Sequence, residues 1–171
     1  MNDENTKKLY ERYPEIFAGA NASIMESAMA WGFCHGDGWY DIIESLCRNI
    51  MSYVNSHNSN LRYSQSRGKR LDEKPMPIPA ASQVKEKFGT LRFYIDSCDP
   101  YIYGLIAMAE SMSGAICEIC GSKAQTRNDR GWMSTLCDGC CVRLKIPVEE
   151  DEGEDEEDSN SEPTQETKDD A

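Results

Sequence analysis

Apolar positions recur at helical spacing in several stretches of the chain and alternate in one. The clearest helical stretch runs from Trp39 to Val54. There Trp39, Ile42, Ile43, Leu46, Cys47, Ile50 and Val54 recur at three and four residues, a stripe wide enough to face a core. The pattern fades near Asn55-Ser56-His57-Asn58, where the helix is expected to end. Upstream, Leu9, Tyr13, Ile16 and Phe17 fall near one face of a helix over Glu4–Phe17, which Pro14 interrupts. Asn21 to Ala30 reads as a weaker helix. Downstream, Asp99 is placed as an N-cap and Pro100 at the first helical position. Ile102, Leu105, Ile106, Ala109 and Met112 form the apolar face of that helix, and Gly114 ends it.

Alternation appears between Val84 and Ile95. Leu91, Phe93 and Ile95 alternate with Arg92 and Tyr94, which predicts a half-buried strand. Gly89 marks a bulge or a turn, so the segment is either one bent strand or a hairpin. Trp132 to Leu136 predicts a further short strand, and Arg143 to Val148 leads out of it. Residues 58–82 read as a connector, either mobile or a contact surface. Its Pro75-Met76-Pro77-Ile78-Pro79 run should be extended, because each proline disfavours helix in the residue before it. The loop from Trp31 to Trp39 holds Gly32, Gly36 and Gly38 with two tryptophans to bury, and Asp37 is placed to cap the helix that follows. The pattern implies an α+β body over residues 1–113, with three or four helices and a small sheet.

Charge changes the picture only at one end. The formal net charge is −12, but the segment from Glu149 to Ala171 holds thirteen acidic residues and one base, Lys168. Residues 1–148 hold seventeen of each. The body is therefore neither an acidic mimic of DNA nor a strongly basic nucleic-acid binder. The tail 149–171 has too few apolar residues to offset its ordering entropy and is expected to be disordered. No run of eighteen apolar residues occurs, so no membrane-crossing helix is expected. The polar, acidic Met1-Asn2-Asp3-Glu4 does not read as a secretory signal, which points to reduced cysteines.

The cysteines carry the strongest chemical signal. Cys117 and Cys120, followed by Gly121, are answered by Cys137 and Cys140; two residues separate the members of each pair. This is the spacing of a four-thiolate zinc site, in which two tight turns each aim two sulfurs at one tetrahedral ion. Gly121 and Gly139 are expected to ease the two turns. A structural Zn²⁺ is implied, held by a ribbon over residues 114–148. A catalytic zinc fits poorly, since four thiolates leave no open position and neither His35 nor His57 lies in the ribbon. The deaminase pattern also fails, because Thr135-Leu136 rather than proline precedes Cys137. Cys141 competes with Cys140 for the fourth place, and the two-residue spacing favours Cys140. Cys47 belongs to the core; Cys34, Cys98 and Cys141 read as ordinary thiols.

The remaining candidates are surfaces. Lys85, Lys87 and Arg92 with Tyr94 form a basic and aromatic strand face suited to phosphate contact and stacking. Arg127 and Arg130 in the ribbon loop extend it, and Trp39 lies in the glycine-rich loop. His35 and Asp37 have no paired nucleophile or second acid and read as turn and cap residues.

Four motifs occur in order: Gly36-Asp37-Gly38-Trp39, then Val84-Lys85-Glu86-Lys87-Phe88-Gly89-Thr90-Leu91-Arg92-Phe93-Tyr94, then Cys117 to Gly121, then Trp132 to Cys140. Over roughly Leu9 to Arg143 this series resembles small uncharacterised proteins of tailed phages and prophages. The resemblance implies a phage or prophage origin and a place in the host cytoplasm, and it supplies no activity. Together these readings lead to the expectation of a non-enzymatic accessory protein that binds a host protein of the defence, transcription or nuclease machinery. The alternative is a nucleic-acid-binding zinc-ribbon module.

Overall fold

The structure, a computed structural model, describes residues 1–69, 72–129 and 131–148. The acidic tail from Glu149 and the predicted surface residue Arg130 lie outside the described residues. Among the described residues there are four α-helices and two two-stranded antiparallel sheets, an α+β arrangement as expected.

Helix α1 spans Asp3–Arg12. Asn2 caps it, its side-chain oxygen accepting from Asn5 N at 2.8 Å, and Asp3 and Glu4 suit the positive end of the helix dipole. The helix stops at Tyr13, short of the expected Phe17, because Pro14 disfavours a helical residue before it. Ile16 and Phe17 are still buried, beyond the helix. The helix expected over Asn21–Ala30 is absent. In its place stand 3₁₀ turns at Ala18–Asn21 and Ala28–Trp31. Side chains take local backbone donors there: Ser27 Oγ accepts from Met29 N at 3.2 Å and Glu26 Oε2 from Ser23 N at 3.1 Å.

Helix α2 runs over Tyr40–Ser66, well past the end expected near Asn58. Nothing between Asn55 and Asn58 breaks a helix, and Leu61, 4 % exposed, continues the buried stripe about two turns beyond Val54. The connector is correspondingly shorter. It is also tied down, since the Asn58 side chain accepts from Met76 N at 2.7 Å and donates to Met76 O at 2.9 Å.

Strands β1 (Ala81–Lys87) and β2 (Thr90–Ile95) form a hairpin, so the two open readings of this segment resolve to the second. The turn residues Phe88 and Gly89 both have positive φ, 57° and 76°, as a two-residue hairpin turn of type I′ requires. Pairing sets Val84 opposite Phe93 and Lys85 opposite Arg92. Both edges of this sheet are occupied. On the β1 side, Cys34 N donates to Val84 O at 3.2 Å and Glu86 N donates to Cys34 O at 3.0 Å. On the β2 side, helix α3 (Pro100–Ser113) supplies acceptors: Ser113 Oγ takes Leu91 N at 2.8 Å and Glu110 Oε1 takes Phe93 N at 2.9 Å. These contacts occupy edge groups that could otherwise recruit another strand.

Helix α3 begins as expected, with the Asp99 side chain accepting from Tyr101 N at 2.7 Å and Gly114 at its end. Strands β3 (Gln125–Asp129) and β4 (Trp132–Leu136) form the second hairpin, and helix α4 (Asp138–Leu144) follows at once. The main core lies where α2, α3 and the inner face of β1–β2 meet. Trp39, Ile43, Ile50, Val84 and Leu91 are fully buried there.

Candidate metal centre

The first cysteine pair sits on a tight turn. Cys117 N donates to Ser122 O at 2.8 Å, and Gly121 N returns to Cys117 O at 2.9 Å. Gly121 has φ +77°, as the turn demands. The second pair is built differently. Cys137 is the N-cap residue of α4, and its carbonyl accepts from both Cys140 N and Cys141 N at 3.0 Å. Gly139 therefore lies in a helical first turn and has no positive φ, contrary to the expectation for it. A step of three along α4 brings Cys140 back over Cys137, whereas Cys141 is turned about 100° further round. Cys141 is not among the mutually close sulfurs and is buried in the small cluster that Leu136 forms with Cys117 and Cys140.

The sulfurs of Cys117, Cys120, Cys137 and Cys140 all lie within 4.8 Å of one another, an arrangement that can hold a metal ion. Cys120 Sγ and Cys137 Sγ are 3.5 Å apart. Four thiolates at ~2.3 Å around one tetrahedral ion would be spaced by about 3.7 Å, so the donor set fits. Among the described residues this is the only such group. Cys117 and Cys140 are buried and Cys120 is exposed. The Ser122 hydroxyl, 3.4 Å from Cys120 Sγ, lowers that thiol to about 6. Burial pushes Cys140 up to about 12, although Arg143 Nη2 donates to its sulfur at 2.7 Å and works the other way. The guanidinium is the local counter-charge available to a thiolate cluster.

The loop from Gly36 to Trp39 is the seat of the first turn. Gly38 N donates to Glu118 O at 2.7 Å, Gly36 N donates to Glu118 Oε1 at 3.0 Å, and Trp39 Nε1 donates to Ile116 O at 2.8 Å. A β-carbon on Gly36 would meet Glu118 O at 2.4 Å, and one on Gly38 would meet Cys117 O at 2.0 Å. The glycines are there because two backbones touch. Burial raises the Glu118 carboxyl above its ordinary range, while the Gly36 N–H partly holds it down. The hairpin tip of β1–β2 docks on β3–β4 through buried Thr135, whose hydroxyl donates to Gly89 O at 2.5 Å. That leaves the Thr126 hydroxyl as donor in the 2.9 Å contact between the two threonines.

Two predicted surface residues are structural. Trp39 is 0 % exposed, so it offers no binding face; its indole reaches the backbone just before the metal turn. Arg127 is also committed, with Nε donating to Leu136 O at 3.2 Å and Nη2 paired to Asp138. Asp37 does not cap α2. It accepts from Asn2 N at 2.8 Å, Asn2 Nδ2 at 3.0 Å and Asn5 Nδ2 at 3.2 Å, which anchors α1, and the Asn2 backbone bond leads in lowering its carboxyl. Trp31, expected to be buried, is 67 % exposed. His35 is buried, its Nδ1 lies 2.7 Å from Gly36 O, and burial lowers its pKa to about 4.

Lys85, Lys87, Arg92 and Tyr94 do share one face of the β1–β2 hairpin, opposite the buried Val84 and Phe93. Lys85 Nζ stands 5.6 Å from the Tyr94 ring centroid. Phe88 and Trp132, not anticipated as surface residues, stand exposed at the two hairpin tips; for Phe88 the available signal was a bulky residue before the glycine of a two-residue turn. No protein-family model matches the chain, and neither a curated protein nor a solved structure matches it.

Proposed function

We propose that this chain is a non-enzymatic accessory protein of a phage or prophage. In this reading its four thiolates hold a structural Zn²⁺, and it binds a host protein of the defence, transcription or nuclease machinery in the host cytoplasm. The donor set supports zinc over harder ions, since an all-thiolate tetrahedron suits a borderline-soft metal. It supports a structural role because all four positions around the ion are filled by protein. His35 and Asp37, the one candidate acid–base pair, are absorbed in the scaffold.

The observation that carries partner binding is the groove between α2 and α3. Met108 and Met112 are 58 % and 48 % exposed beside Ile42, Leu46 and Leu105, and flexible thioethers suit an adaptable protein interface. Immobilised full-length chain should retain one host protein in stoichiometric amount, identified by mass spectrometry and reconstituted from purified components. Met108→Lys with Met112→Lys should abolish that binding while the fold persists. Retention of nothing, or binding indifferent to both substitutions, counts against this reading.

A second reading, nucleic-acid binding, is favoured by one observation. Lys85, Lys87 and Arg92 converge on one sheet face with Tyr94, and among the described residues no carboxylate pairs with any of the three.

A further inference from the structure

The two hairpin tips carry side chains that the scaffold does not require. Phe88 has φ 57°, a region that is uncommon for non-glycine residues and disfavoured for a bulky one. Its ring is 63 % exposed, so little burial offsets that cost. Trp132 opens β4 and is 71 % exposed. Both rings line one open cleft of about 460 Å³, together with Lys87, Asn128, Met133 and Glu86, whose carboxylate is engaged by Gly89 N at 2.6 Å.

The cleft continues the basic face. Lys87 Nζ lies 5.1 Å from the Phe88 ring centroid, and Lys85 stands between Arg92, opposite it on the ladder, and the Tyr94 ring. Rings thus flank the cations: Tyr94 stands at one end of the strip, Phe88 and Trp132 at the other, with Lys85, Arg92 and Lys87 between. At ~3.3 Å per residue the strand contributes about 13 Å of this strip before the cleft extends it. Lysine is depleted at the centres of protein–protein interfaces, whereas exposed rings interleaved with cations are what a single strand of nucleic acid needs. A duplex hides its base faces within the stack and offers them to neither ring.

We infer that this strip binds single-stranded nucleic acid, with bases stacking on Phe88 and Trp132 and phosphates tracking Lys85, Lys87 and Arg92. The inference rests on the nucleic-acid reading above and adds to it the stacking platform and the preference for a single strand.

The test is fluorescence anisotropy of the full-length, zinc-loaded chain with labelled oligo(dT), oligo(U) and a DNA duplex. Single strands should bind more tightly than the duplex. Their affinity should fall with salt at a log–log slope of about −2, as three phosphate contacts on a single strand predict. Phe88→Gly suits the turn and so keeps the fold; it should weaken binding roughly 5- to 150-fold, as should Trp132→Ala, while Trp132→Phe keeps most of it. Lys85→Gln with Arg92→Gln should flatten the salt slope. If the charge variants weaken binding but Phe88→Gly and Trp132→Ala leave it unchanged, the platform is overturned and the nucleic-acid reading stands. Equal affinity for duplex overturns the single-strand claim. Absence of binding to every probe at low salt removes both, as does a protein partner whose binding alone depends on Phe88 and Trp132.

Discussion

Gly38 and Cys117 meet backbone to backbone: a β-carbon added to Gly38 would lie 2.0 Å from the Cys117 carbonyl oxygen. The glycine and the first thiol ligand are far apart in sequence, yet neither segment can shift without the other. Gly38→Ala should therefore destabilise the protein by roughly 1–3 kcal/mol or more, through overpacking against backbone that cannot retreat. Gly104→Ala is the internal contrast. Gly104 lies in α3 with nothing within 4 Å of an added β-carbon, so this change should stabilise by ~0.5–1 kcal/mol. Urea denaturation of the two variants measures both. Equal and small effects would show that the contact is not tight in solution.

The metal reading predicts one zinc per chain. Native mass spectrometry should show it, and chelation should lower the melting temperature sharply, because binding energy at such sites is folding energy. Cys140→Ser should lose the ion. Cys141→Ser should keep it, since its sulfur is not among the four that lie within 4.8 Å of one another. Zinc retained by Cys140→Ser and lost from Cys141→Ser would reverse the ligand assignment.

Thr135→Val tests the joint between the hairpins. Valine keeps the volume but removes the hydroxyl that donates to Gly89 O and accepts from Thr126. The loss should be about 1–3 kcal/mol, since the buried Gly89 carbonyl is left without its donor, while the exposed Thr126 hydroxyl can turn to water. A thermal melt at saturating zinc reads it, and an unchanged midpoint would mean that the hairpin tips are not joined through this hydroxyl.

His35 predicts a pH dependence whose sign follows from burial. Its pKa falls to about 4 in the folded chain against 6.5 for a free imidazole, so between those values the unfolded chain binds the extra proton. Stability present above about pH 6.5 should decline as pH drops toward 4, by on the order of 3 kcal/mol in full. His35→Phe should flatten that part of the profile. The comparison is made with chemical denaturation at each pH on zinc-saturated protein, where the thiolates titrate equally in both chains. A profile unaltered by the substitution would place the titration elsewhere.

Much of the architecture was legible because it obeys local rules. The stripe on α2, the Asp99-Pro100 start of α3 and the alternation of Leu91 and Phe93 each follow from one segment's own periodicity. The cysteine set was legible for the same reason: two-residue spacing is a local device. What escaped were relations between segments. Asp37 looked like a cap because the helix follows it, but the side chain turns to Asn2 and Asn5. Trp39 fitted both the core stripe and the surface of a glycine-rich loop; the glycines in fact admit another backbone, and the indole is buried behind it. Arg127 looked like a free cation until β3 brought it to Leu136 and Asp138. The extension of α2 to Ser66 was missed because polar residues were read as a stop, though none of them breaks a helix.

The bond from Trp39 to Ile116 also bears on how the protein is made. Synthesis runs from the N-terminus, so α2 and the indole at its start leave the ribosome long before Ile116 does. Until Ile116 to Glu118 have followed, the loop at Gly36–Trp39 has no backbone to close against. If the four thiolates hold zinc as proposed, a cell short of zinc should leave that seat poorly formed in new chains, and pulse-chase turnover with and without chelator should show faster loss of the chain when zinc is withheld.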